Sequence, residues 1–193
     1  MDSPELRFMN NLSVLMECGR PLEDSLRNLQ KDERSENLRD AYSAMVDSLL
    51  RTGDFTAPLP EYPQVCARSS LALLRAARRT STLAKVLPLL ATLVRARVEG
   101  ELDPRQRFME TWALMVETGF SIDDALAELG KEFSSGPLGE VAEGLRSAVR
   151  SGRTLAEGAQ RFPEVFSAAS RDLLNYGEAR DLAFALRAIN RLL

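Results

Sequence analysis

Histidine is absent from the 193 residues. Its absence removes the commonest general base and the commonest zinc ligand. Only two cysteines occur, Cys18 and Cys66. Their separation matches neither a redox pair nor a metal-ligand pair. Each stands in an apolar run, so both read as packing residues. With no secretory leader at its start, the chain is expected in a reducing cytoplasm, at most peripheral to a membrane. Aromatic residues make up 6% of the chain, so Leu and Ala must do most of the packing. Such a composition favours helix over strand. No segment alternates apolar and polar residues over the length of a strand. Long hydrophobic runs are missing too. The longest uncharged one, Val86 to Val94, ends at Lys85 and Arg95, whereas a membrane span needs about 20 residues.

One further absence is local. Between Gln64 and Val98 there is no Asp or Glu, while Arg68, Arg75, Arg78, Arg79, Lys85, Arg95 and Arg97 all fall there. The net charge of −3 therefore divides into +7 for this segment and −5 for the residues on each side. That is the strongest charge signal in the chain.

What is present is a repeat. Displaced by 100 positions, Arg7-Phe8-Met9 falls on Arg107-Phe108-Met109, Gly19 on Gly119, Asp24 on Asp124, Pro63 on Pro163 and Leu73-Leu74 on Leu173-Leu174. An ordered set of Phe, Gly and Pro matches is not a chance product of a Leu-rich composition. The expected fold is all-α: two tandem antiparallel bundles of about six helices each, at residues 1–99 and 105–193, joined by a short linker at 100–104.

Within each copy the punctuation is helical. Phe8, Leu12 and Leu15 recur at helical spacing from Pro4 to Cys18. Gly19 and Gly119 follow the first helices as left-handed terminators. Pro21 and Ser121 open the second helices. The third helices are expected at about Ser35–Arg51 and Pro137–Arg150. After them the copies part. Thr154-Leu155-Ala156-Glu157 is a capping box, but Pro58 and Pro60 forbid a regular helix in copy one, where an extended or turn-like path is expected. The fifth helix of copy two is expected to stop at Tyr176-Gly177, with no such stop at Ala76-Ala77. The last helices should span about Ser81–Glu99, bent or delayed by Pro88, and about Ala179–Leu192.

The order of these features resembles the type II secretion F domain, the cytoplasmic helical domain of the inner-membrane platform proteins of type II secretion and type IV pilus machines. In copy two the resemblance rests on Phe108, Leu114, Gly119, Leu126, Ser151-Gly152, Phe162-Pro163-Glu164-Val165-Phe166 and Tyr176-Gly177-Glu178 with Leu182. Arg180 stands where the family pattern would have a second glycine. Copy one keeps Phe8, Leu15, Gly19, Leu26, Gly53, Tyr62, Pro63 and Leu83, with Ala77-Arg78 in place of the Gly-Glu pair. Family platform proteins carry two such domains with transmembrane helices after each, and this sequence has no membrane segment. The resemblance implies a scaffold or adaptor whose partners are the machine's ATPase, its inner-membrane components or other platform subunits, a second copy of this chain among them.

The residues nominate few sites. Arg75, Arg78 and Arg79 sit at i, i+3 and i+4 and share a helical face, with Lys85 shortly after. They suit an acidic protein surface or, alternatively, anionic lipid headgroups; equally, acids from residues 1–63 could answer them. The overall pI of about 5.2 argues against nucleic acid. Glu178 after Gly177 reads either as a contact for a partner or cation, or as a cap for a neighbouring helix. The acid pairs Glu23-Asp24, Asp32-Glu33 and Asp123-Asp124 are adjacent and so do not face each other, which leaves a divalent-cation site without a strong basis. Trp112, amid Ala113, Leu114, Met115 and Val116, reads as core or as a contact between copies. No phosphate loop, nucleophile elbow or metal-ligand spacing appears. No catalytic residue, cofactor or metal is assigned, and an enzyme is not expected.

Overall fold

The computed structural model describes residues 3–193. They form eleven α-helices and one 3₁₀ turn, with no strand among the described residues. The chain divides into two compact units, Met1–Glu99 and Gly100–Leu193. The first holds α1 (Pro4–Glu17), α2 (Leu22–Asp32), α3 (Glu36–Thr52), a 3₁₀ turn (Leu59–Glu61), α4 (Arg68–Arg79) and α5 (Leu83–Glu99). The second holds α6 (Pro104–Glu117), α7 (Ile122–Glu132), α8 (Pro137–Arg150), α9 (Leu155–Ala159), α10 (Ala168–Ala179) and α11 (Leu182–Asn190).

The helices pair alike in both units. In the first, α1 packs on α5 and α2, α2 on α3, and α4 on α5. In the second, α6 packs on α11 and α7, α7 on α8, and α10 on α11, with α9 wedged against α8 and α10. The duplication seen in the residues is thus a duplication of topology. Each core is built from the 3.6-residue stripe of its helices. Phe8, Met9 and Leu12 of α1, Tyr42 and Met45 of α3 and Leu87 and Leu90 of α5 are all essentially without solvent contact, and the Phe8 and Tyr42 ring centroids are 6.0 Å apart. Phe108, Met109 and Trp112 of α6 are likewise buried. Each such large apolar side chain contributes about 2 kcal/mol by burial. Trp112 is core, edge-on to Phe108 at 5.9 Å between ring centroids.

The tight first connections work as their glycines require. Gly19 has φ +73° and Gly119 has φ +89°. Arg20 N–H donates back to Leu15 O at 3.2 Å and Phe120 N–H to Met115 O at 3.0 Å, the long bond of a Schellman termination.

The first unit has five α-helices, since Pro58 and Pro60 leave only a 3₁₀ turn, as their residues imply, where α9 stands in the second; Phe55 and Leu59 still fill the core there. Other expectations need correction. Gly177 is not a helix stop. α10 runs on to Ala179, and the turn falls at Arg180 and Asp181, with Asp181 capping α11 by accepting from Phe184 N–H at 2.9 Å. What Gly177 supplies is closeness: a Cβ there would lie 2.5 Å from Ala185 Cβ and 3.1 Å from Leu182 Cα. α4 of the first unit does have a left-handed terminator, Ser81 at φ +57°, with Thr82 N–H bonded to Ala77 O at 2.8 Å. Pro88 lies within α5. Cys66 is buried, but Cys18 is exposed at the end of α1, where the apolar stripe has already turned away.

Candidate functional site

The basic segment folds into α4 and α5. Arg75 and Arg79 of α4 are one turn apart and exposed, and Lys85 in the first turn of α5 is exposed as well. None of the three side chains forms a hydrogen bond or ion pair among the described residues, although the charge of Arg75 helps to hold the Asp54 carboxyl down. Arg78 behaves differently. On the helix it lies about 60° to one side of Arg75, toward the chain that leaves α3. There its Nη2 donates to Asp54 Oδ2 at 3.0 Å. Burial alone would raise the Asp54 carboxyl, but it is outweighed by donation from the Thr56 hydroxyl and N–H, at 2.6 and 2.9 Å, and by Arg78. The carboxyl is therefore held below its ordinary value. Two other cations are taken internally. Arg97 of α5 forms an ion pair with Glu5, and Arg95 donates to Asn10 Oδ1 at 3.3 Å. The acids that answer Arg78 and Arg97 come from residues 1–63. Exposed and outside any side-chain hydrogen bond or ion pair are Arg75, Arg79 and Lys85.

Glu178 is placed by α10 at the start of α9. Its carboxylate accepts from Leu155 N–H at 2.8 Å. The same end carries the Thr154–Glu157 capping box, with Glu157 N–H donating to Thr154 Oγ1 at 3.1 Å and Thr154 N–H to Glu157 Oε2 at 2.8 Å. A five-residue helix leaves most of its N–H groups open, so three acceptors at its start explain how α9 persists. Glu178 therefore serves as a cap for the preceding helix.

The acid pairs resolve into ion pairs. Asp123 bridges to Arg150 Nε at 2.7 Å and Arg146 Nε at 3.1 Å, tying α7 to α8. Donation first from Arg150 and then from Arg146 lowers its pKa to about 2. Glu23 pairs with Arg27 on its own helix at 2.9 Å. Among the described residues no three acidic or cysteine side chains converge as metal ligands would.

Three features escaped the sequence reading. Glu5, nearly buried, accepts from Ala67 N–H at 2.9 Å and the Ser70 hydroxyl at 2.7 Å as well as pairing with Arg97. No local pattern marks it, because its partners lie more than sixty residues away. Arg107 lies 4.9 Å over the ring of Phe133, a contact equally invisible to spacing. Asp103 and Gln106 form a reciprocal capping box on α6. That one had a signal, an Asp-Pro start with an amide three residues on.

Two copies of one antiparallel helical unit define a tandem helical repeat protein. The family model described as "Type II secretion system (T2SS), protein F" matches the chain twice, over residues 8–111 and 108–193. The chain belongs to that family, the platform components of type II secretion and pilus machines, and carries its domain in two tandem copies. No helix of the described residues is long and apolar enough to cross a membrane.

Proposed function

We propose that the chain is a non-enzymatic, cytoplasmic scaffold or adaptor of a secretion or pilus machine, and that the α4–α5 face of its first unit is a contact surface. The observation behind this reading is that Arg75, Arg79 and Lys85 stay exposed and form no ion pair within 35 residues that contain no acid. Exposed cations on a helix face attract an acidic surface and speed encounter with it. The partner is an acidic face of the assembly ATPase or of an inner-membrane component. Arg78 takes no direct part, being engaged by Asp54. The test is co-purification of those components with the chain and with the reversed variant Arg75→Glu, Arg79→Glu, Lys85→Glu. The reversed chain should keep its helical circular dichroism and lose the partner, and binding by the parent should weaken with salt. Undiminished capture by the reversed chain sinks the proposal.

The same lack of acid supports a second reading, attachment to anionic lipid. Each basic residue near such a surface contributes about 1 kcal/mol. Flotation with phosphatidylglycerol vesicles, against phosphatidylcholine, separates the two. Lipid capture without protein capture favours the second.

A further inference from the structure

The second unit contains a cavity of about 640 Å³ between the start of α6, the junction of α7 and α8, and the turn at Glu164 and Val165. Its walls are largely apolar, with Phe133, Leu138 and Val165 among them. Volume and lining are those of a small-ligand or peptide-end site. Two arginines line it, Arg105 and Arg107. Arg105 donates to Glu164 O at 3.4 Å. Arg107 is stacked over Phe133, and its buried Nε, like that of Arg7 in the first unit, has no hydrogen-bond partner.

The first unit shows what that arginine accepts when its own chain provides it. Arg7 occupies the equivalent place, and 3.4 Å away is Glu33, a carboxylate with only 6% of its side chain exposed. Position 133 is the counterpart of position 33. There the second unit has a ring instead of an acid, and a cavity beside it. The start of α8 borders the same space with Gly136 at its cap position and no side chain capping it, which adds partial positive charge.

We propose that this cavity takes the free C-terminal carboxylate and last apolar side chain of a partner peptide. The carboxylate would replace the missing Glu33 equivalent on Arg107, in charge-assisted hydrogen bonds, and the apolar side chain would lie against Phe133, Leu138 and Val165. The remaining acids narrow the class. Asp103 is engaged in capping α6, but Glu132 and Glu164 also line the cavity. They repel a peptide with several acids and suit a basic residue shortly before its end.

The probe is the tetrapeptide Lys-Ala-Leu-Leu with a free C-terminus, titrated calorimetrically into the whole chain beside the same peptide as its C-terminal amide. The free acid should bind at least about tenfold more tightly than the amide. Arg107→Gln should weaken the free acid by a similar factor and leave the amide unchanged. The reversed basic-face variant should bind the peptide as the parent does, so failure here and failure of the α4–α5 contact are separate results. Equal affinity for acid and amide, or binding of neither, overturns the proposal. Should Arg107→Gln lose its helical circular dichroism, the acid–amide comparison on the unaltered chain decides alone.

Discussion

Arg78 and Glu178 stand 100 residues apart on equivalent helices, α4 and α10, and each secures the segment that follows the third helix of its unit. Arg78 does so by donating to Asp54, Glu178 by accepting from Leu155 N–H. The charge has inverted while the contact stays in place. Two other pairs show the same pattern. Arg7 faces a carboxylate where Arg107 faces a ring. The start of α4, with Ala67 at its cap position, is closed by Glu5 from α1, whereas α10 closes its own through Ser167, which accepts from Ser170 N–H at 3.2 Å. What the duplication preserves is the demand, an open helix end or a guanidinium at a given point. Which residue meets the demand is free to change, provided its charge and reach suit.

The comparison predicts unequal costs at equivalent positions. The largest is at Glu5, whose counterpart is the exposed Arg105. Glu5→Ala strips a nearly buried carboxylate from Arg97, Ala67 N–H and the Ser70 hydroxyl together. Removing one partner of a buried ion pair costs about 3–5 kcal/mol, and the value expected is about 4 kcal/mol. Arg105→Ala should stay within about 0.5 kcal/mol, as exposed substitutions do. Urea melts of both variants measure this, and similar losses would remove the asymmetry between the two α4-type starts.

Next comes the contact between the last two helices of each unit. The second unit has Gly177 where the first has Ala77, which is fully buried. A methyl at 177 meets Ala185 Cβ at 2.5 Å and must push α10 from α11. Overpacking of that kind costs about 1–3 kcal/mol, against a gain of about 1 kcal/mol in helix propensity over glycine. Gly177→Ala is therefore expected to destabilise by about 1 kcal/mol. Ala77→Gly should cost a similar amount for the opposite reason, lost propensity and a lost methyl. A stabilised Gly177→Ala variant in thermal melts would show that the closeness is not required.

These cases also show which parts of the protein its residues announce. Both third helices were placed to within a residue, since Pro137, Gly53 and Gly152 act locally on the backbone. The repeat was plain because it preserves the positions of punctuation. Gly177 misled because a glycine that ends a helix and one that admits a neighbouring helix look the same along the chain. Only the partner, Ala185, tells them apart. For Arg75, Arg78 and Arg79 the spacing put all three on one face, but a face about 100° wide has edges, and Asp54 waits at one of them. Glu5 gave no sign at all: a lone acid in a first turn is ordinary, and its burial is set by α4 and α5 closing over it.

A smaller difference is expected at the inverted contact itself. Glu178→Ala opens the start of α9 and should cost about 1 kcal/mol, as lost caps do. Arg78→Ala breaks an ion pair whose two side chains are 36% and 27% exposed, so about 0.5 kcal/mol or less is expected. Chemical denaturation of the two single variants ranks them. A larger loss at Arg78 would mean that the ion pair, and not the cap, is the stronger form of this contact.

The smallest effect separates Asp123 from Glu23, again 100 residues apart, and it shows in pH dependence. Glu23 pairs along its own helix with Arg27, while Asp123 reaches from α7 to two arginines of α8. Only the second arrangement ties one helix to another. In the folded chain Arg150 and Arg146 hold the Asp123 carboxyl at about 2, below its ordinary 3.8. The unfolded chain therefore takes up the proton first as the pH falls. A depressed carboxyl adds stability that is complete above its unfolded value, fades between about pH 4 and pH 2, and is gone below that. Asp123→Asn should accordingly melt lower than the parent at neutral pH, with the two curves converging as the pH approaches 2. Glu23→Gln, which breaks one exposed pair on a single helix, should change the neutral-pH melt by no more than about 0.5 kcal/mol. Since the Asp123 pair is open to water, added salt should shrink the neutral-pH gap. A gap for Asp123→Asn that stays constant from pH 6 to pH 2 would assign the loss to packing and not to charge, and the two acids would then differ in position alone.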